Sequence, residues 1–338
     1  MKRCIFCNEQ IQDDAKLCRY CKRRQSVPAS SILERIKESR RLQFGGGLGK
    51  SLGIFFGANL AAVLFLILLG AFLAPELGML AGLGVLILGS TVPFVMLLFS
   101  KQIARWQTPM KILKPDDANN TDQEKSLLAL VAALADRAGL PVVPEVGIFE
   151  STEVNAFATG PSRSNALIAF SSGLLEKMEE AEVAAVAAHE TAHIANGDML
   201  TMTLLEGLVN AAVILVDFTI SLSDWYEELE ERIGWLSAVV RFAIVNVLML
   251  GGNLVLLWFS RHREFEADEV AARLTGIDSM ISVLRHLEAG EAAENPTCSD
   301  DSAAAMMFSA PPGWCDIFST HPSCERRIAH LEQVLGNQ

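Results

Sequence analysis

The chain has 338 residues, enough for two ordinary domains, but 51% of them are hydrophobic and the mean hydropathy is +0.30, which excludes a purely soluble protein. The formal charge is -12, yet residues 1–50 carry twelve Lys/Arg against five Asp/Glu, so a basic amino-terminal end precedes an acidic remainder. Seven cysteines, four of them clustered near the start, argue for metal binding in a reducing compartment and against a disulfide framework.

Cys4, Cys7, Cys18 and Cys21 form CxxC-x10-CxxC, the spacing of a small four-cysteine zinc ribbon, so residues 1–24 are expected to hold one structural zinc. The first residues are charged and include no apolar run before a small-residue cleavage site, so membrane insertion is expected to use an internal segment. Residues 25–50 read as a basic linker. The GGGLGKS run within it is a hinge and not a phosphate-binding loop, because Phe44 stands where that pattern needs its first Gly and no strand precedes it.

Residues 51–75 contain no charged side chain and, after the lone Glu76, residues 77–100 contain none. Each run is long enough to cross a hydrocarbon layer of about 30 Å as a helix, and globular helices rarely stay apolar on every face for so long. Two membrane spans are expected over residues 51–100. Residues 121–138 then read as an amphipathic helix, and residues 142–149 and 166–170 as strands, so residues 101–198 form the first half of a mixed α and β body.

Residues 199–260 hold a second apolar pair, a transmembrane or membrane-dipping hairpin, interrupted by Glu206 and Asp217 in its first arm and Arg241 in its second. Thr203, Glu206, Asn210 and Asp217 share one helical face, expected to look toward protein. Asp217 and Arg241 fall at similar depth on the two arms. An isolated charge in lipid is costly, so they are expected to pair. Basic residues flank the first pair of spans, namely Arg35, Lys37, Arg40, Arg41 and Lys50 before it and Lys101, Arg105, Lys111 and Lys114 after it, whereas the SDWYEELEER turn is acidic. Both termini and the body are therefore expected in the cytoplasm. Residues 261–338 complete the body with helices to about residue 275, near 279–287 and from 322 onward.

Within an alanine-rich helical run, AAHETAHIANGD contains His189, Glu190 and His193 in the pattern HExxH. Imidazoles four residues apart share one helix face and can reach a single ion. A catalytic zinc takes three protein ligands and keeps an open position, so a third ligand must come from elsewhere. The run SRHREFEADEVAARL offers Glu264, with Asp268 one turn later to orient a ligand imidazole from behind. Glu266 and Glu269 compete for these places by composition. Cys298, Cys315 and Cys324 stand in no Cys/His arrangement and read as buried filler.

Together with NAFATG at residues 155–160 and THPSCERRI at residues 320–328, these stretches resemble, in order and spacing, the HtpX-type membrane-bound zinc endopeptidases, relatives of the CAAX prenyl proteases. The resemblance covers roughly residues 48–332 and leaves the ribbon outside. It implies a gluzincin-like metalloprotease fold split by the membrane hairpin, Glu264 as the third zinc ligand, and Glu190 as the general base that takes a proton from the attacking water and returns it to the leaving amine. By the same resemblance His321 and Arg327 are candidate donors to the developing oxyanion. The NAFATG stretch is expected to form an edge strand beside the site, with Asn155, Ala156 and Phe157 touching an extended substrate.

Polypeptide substrates, misfolded or membrane-embedded, follow as expected partners, along with the bilayer itself and a protein partner of the ribbon in preference to nucleic acid. The resemblance further implies proteolytic quality control under stress. Two alternatives remain from the sequence: a prenyl-protein processing peptidase, and a catalytically silent zinc scaffold that recruits partners through its ribbon. An intact Glu190 argues against the scaffold.

Overall fold

A computed structural model describes residues 2–3, 10–11, 29–42, 93, 95–221, 223–294 and 322–335. Cys4, Cys7, Cys18, Cys21, Cys298, Cys315 and His321 lie outside the described residues, as do the GGGLGKS hinge and most of the first apolar pair. Strands β1 (Lys2–Arg3) and β2 (Gln10–Ile11) pair antiparallel near the start of the chain.

Helix α1 (Ala29–Glu38) occupies the stretch expected as a linker. Its Ile32 and Ile36 enter the main hydrophobic core, Arg35 donates to the Thr275 carbonyl, and the Arg137 guanidinium donates to the Ser39 carbonyl behind it. The segment ahead of the first apolar pair is therefore part of the folded body. Helix α2 (Ser100–Gln107) leads into β3 (Met110–Leu113).

The amphipathic helix appears as α3 (Asp122–Arg137), opened by a capping box in which the Glu124 N–H donates to Thr121 Oγ1 and the Thr121 N–H donates to the Glu124 carboxylate. Its Leu127, Val131, Leu134 and Ala135 are buried, the stripe that a 3.6-residue period presents to one side. Strand β4 (Glu145–Phe149) begins later than the apolar run predicts. Pro141 and Pro144 bracket Val142 and Val143, both exposed, because proline withholds the N–H a ladder needs.

Strands β5 (Ala156–Ser162) and β6 (Asn165–Ser171) complete a four-stranded sheet in the order β3-β4-β6-β5, with β4 and β6 parallel and the other pairs antiparallel. Strand β5 is thus an edge, as expected of NAFATG. Near the β5 to β6 turn, Gly160 has φ 146°, and a Cβ there would lie 2.3 Å from the Asn165 carbonyl oxygen, so a side chain is excluded at this irregularity in the register.

After the short α4 (Ser172–Lys177) comes α5 (Glu180–Asn196), which carries the HExxH pattern. Ala184, Ala185, Ala187, Ala188, Ala192 and Ala195 are all buried. Small side chains on several faces let neighbouring helices approach closely, which explains why an alanine-rich segment forms the centre of the body.

Helices α6 (Asp198–Ser221) and α8 (Leu236–Thr275) form the hairpin, with α7 (Asp224–Ile233) between them. Among the described residues, two helices are long and apolar enough to cross a membrane, over Asp198–Phe218 and Leu236–Thr275. Arg241 donates from Nε and Nη2 to the two Asp217 oxygens at 2.6 and 2.8 Å, the pairing expected from depth alone. Glu206 is exposed while Thr203, Asn210 and Asp217 are half-buried, so the polar stripe is covered only in part. Helix α8 continues unbroken from the apolar arm into the body, where α9 (Ile277–Glu294) and α10 (Cys324–Leu335) pack beside it.

Candidate active site

The 17-residue helix α5 places His189 and His193 on one face, and α8 brings Glu264 across from them. The Nε2 atoms of the imidazoles are 3.0 Å apart. Glu264 approaches both, with Oε2 3.5 Å from His189 Nε2 and Oε1 3.5 Å from His193 Nε2. The three ligand atoms lie within 4.8 Å of one another, so the cluster can hold a metal ion. Two neutral imidazole nitrogens and a carboxylate at this spacing fit the three-ligand pattern of an open zinc site. Of the competing acids, Glu269 is turned to Arg273 and His330 instead.

Each imidazole is backed by an aspartate. His189 Nδ1 lies 3.0 Å from Asp268 Oδ1, and Asp268 is fully buried. His193 Nδ1 lies 2.6 Å from Asp198 Oδ2. With each Nδ1 facing a carboxylate, both Nε2 atoms are left to point at the same place. Asp198 and its ion-pair partner Arg263 were missed by sequence reasoning. Asp198 follows Gly197, whose φ of 76° reverses the chain at the end of α5, so NGD reads as a helix stop when it also returns a carboxylate to the last histidine.

Arg327 reaches in from α10 and grips Asp268 with two parallel hydrogen bonds, Nε to Oδ2 at 2.7 Å and Nη2 to Oδ1 at 2.6 Å. Its third nitrogen, Nη1, is 3.4 Å from Glu264 Oε2. Burial works against the charge of Arg327, but the hydrogen bonds to Asp268 and the negative charges of Asp268 and Glu264 together outweigh it and raise the guanidinium pKa. The structure therefore turns this guanidinium toward two carboxylates.

Glu190, next to His189, is half-buried. Burial raises its carboxyl pKa above the ordinary value, against the lowering influence of the two histidines and of a hydrogen bond accepted from the Ala158 main-chain N–H. That contact places the edge strand at the site. Asn155 accepts from the Ser171 N–H, which sets the phase of the ladder: residues 155, 157 and 159 turn their main-chain groups to β6, and Ala156 and Ala158 turn theirs outward. Asn155 is exposed and Ala156 half-buried, while the Phe157 ring packs against Phe149 with centroids 5.7 Å apart.

The profile of peptidase family M48 matches residues 121–335. A protease HtpX homolog of Bacillus pumilus is 39% identical over 274 residues, covering 78% of this chain and 89% of that one. Protease HtpX of Acinetobacter baylyi is 39% identical over 256 residues, 73% of this chain and 84% of that one. Among solved structures, S. mikatae Ste24p shares the fold at 16% identity with a TM-score of 0.56, and the match covers 84% of this chain and 64% of that one. With the family profile spanning most of the chain and these relatives nearly whole, the chain belongs to peptidase family M48 and is a metalloendopeptidase.

Proposed function

We propose that the chain is a membrane-anchored zinc endopeptidase that cuts misfolded or membrane polypeptides at the cytoplasmic face of the bilayer. The observation that carries this reading is the place of Glu190, adjacent to a possible metal cage and in contact with the outward-facing main chain of an edge strand. In this reading His189, His193 and Glu264 hold the zinc and leave one position open. Zinc bound there supplies Lewis acidity, making a water nucleophilic near neutral pH and polarising the scissile carbonyl. Glu190 takes the proton of the attacking water and returns it to the leaving nitrogen as the C–N bond breaks. Substrate lies extended along β5, adding a strand through the outward main-chain groups of Ala156 and the carbonyl of Ala158, with Asn155 and Phe157 beside it.

His321 is the donor to the developing oxyanion. Arg327, expected for the same task, instead holds Asp268 and Glu264 in place, because its nitrogens are already directed at them. Cys4, Cys7, Cys18 and Cys21 hold a second, structural zinc in a ribbon that recruits a protein.

Residues 51–100 anchor the chain and the α6 to α8 hairpin also crosses the bilayer. The distances along the helices support this. The pairs Asp198 to Arg263 and Asp217 to Arg241 bracket about 28 Å of α6 and about 33 Å of α8 at 1.5 Å per residue, against a hydrocarbon layer of about 30 Å. Basic flanks on the first pair of spans favour a cytoplasmic body.

The test compares zinc-loaded wild type with Glu190→Gln in lipid, following cleavage of an unfolded membrane protein by gel and mass spectrometry with metal counted in both. Cleavage by wild type alone at equal metal content is the expected result. Equal cleavage by both would remove Glu190 as the base, and cuts confined to one chain end would favour a processing peptidase.

A further inference from the structure

Two relays converge on the histidines of the site, and they have different origins. One runs from Arg327 on α10 through Asp268 to His189. The other runs from Arg263 through Asp198 to His193, and both of its charged members stand at the roots of the apolar hairpin. Asp198 is the first residue of α6. Arg263 directly precedes Glu264 in α8, and its guanidinium lies over the Phe259 ring, 5.4 Å from the centroid, at the last apolar turn.

We propose that Asp198 is a positioning residue for the metal site, and that Arg263 ties it to the hairpin so that the aim of His193 depends on how the two membrane arms are seated. This rests on the metal site described under the proposed function. Asp198 is 6% exposed, and a buried carboxylate is costly unless both oxygens are satisfied. A helix-start acid with only a structural task turns to solvent and to the free N–H groups of its own first turn. Asp198 turns instead to an imidazole 2.6 Å away and to a buried arginine.

The geometry also fixes the chemistry of the ring. With a carboxylate on Nδ1, that nitrogen carries the proton and Nε2 presents its lone pair toward His189 and Glu264, the tautomer a metal ligand needs. The chain achieves this with the left-handed turn at Gly197, which swings Asp198 back over the end of α5. Arg263 then fixes the distance between the start of α6 and the metal-site turn of α8. Displacement of either arm therefore reaches His193 through Asp198 and Arg263.

The experiment uses the full chain in lipid vesicles, loaded with zinc or cobalt, with the site assigned as the metal lost on Glu264→Ala. Zinc affinity is read by competition with a chelator and ligand geometry by the cobalt visible spectrum. Asp198→Ala is expected to weaken zinc by roughly 10- to 100-fold and to alter the cobalt spectrum. Asp198→Asn, which keeps an acceptor for the Nδ1 proton, retains most of the affinity and guards against misfolding in the alanine variant. Arg263→Gln is expected to change the spectrum in the same direction, by less. Wild-type affinity and spectrum in Asp198→Ala would overturn the proposal, and an unchanged spectrum in Arg263→Gln alone would overturn the tie to the hairpin. If Glu264→Ala releases no metal, the metal-site reading itself falls and this proposal with it.

Discussion

Replacing Arg327 by Met removes the only side chain that grips Asp268 from α10 while keeping much of the volume. Asp268 is fully buried and Arg327 is 7% exposed, and the two hydrogen bonds between them are 2.6 and 2.7 Å long. Removing one partner of such a pair leaves an uncompensated buried charge, at a cost of about 3–5 kcal/mol. Denaturant titration in detergent, followed by tryptophan fluorescence, should show a loss of that size. The double variant Arg327→Met with Asp268→Leu removes the stranded charge and should recover most of the stability, because a buried ion pair is often no better than apolar packing. Zinc affinity should not recover with it, since His189 has then lost its carboxylate. A single variant within about 1 kcal/mol of wild type would refute the reasoning, and so would a double variant that regains zinc affinity along with stability.

Asp217→Arg and Arg241→Asp should each place like charges in apolar surroundings at a cost of roughly 3 kcal/mol, and the double swap should restore thermal stability in lipid; failure of that rescue would show the pair to be incidental. Gly160→Ala should cost more than about 1 kcal/mol, because Ala is strained at positive φ, and should raise KM by disturbing the strand proposed to hold substrate, which peptide hydrolysis kinetics will report. Ile36→Ala, at a fully buried position of α1, should destabilise the body by about 2–5 kcal/mol, measured by the same titration. An unchanged midpoint there would mean that α1 is a bystander.

Much of the site was legible because helical spacing is rigid. HExxH and the Glu264 to Asp268 spacing each commit two side chains to one face before any tertiary structure is known, and the amphipathic run from residue 121 announces α3. The Asp217 to Arg241 pair followed from depth in an apolar hairpin. What the sequence hid depends on long-range packing. Helix α1 has too few apolar residues to announce itself, since Ile32, Leu33 and Ile36 lie among charges and matter only because α3, α5 and α8 leave a place for them. Strand β3, MKIL, is too short to carry a period. Asp198 was hidden by its neighbour, because a glycine that ends a helix gives no sign that the next side chain turns back. Arg327 was found, but its direction was not, since only the buried position of Asp268 decides which groups its nitrogens reach.

The continuity of α8 has a mechanical meaning. Forty residues of helix make a rod of about 60 Å, twice the thickness of the apolar layer it would cross, with no proline along its length to bend it. Glu264 comes four residues after Ser260, the end of the apolar run, a rise of about 6 Å. If α8 crosses the bilayer as proposed, the cutting point is mounted on a stiff post at a set height just above the lipid surface. In that arrangement a well-folded soluble protein would be too bulky to present its backbone in so thin a gap, whereas a chain slipping out of the bilayer would pass through it in extended form. Selection by height would need no recognition sequence.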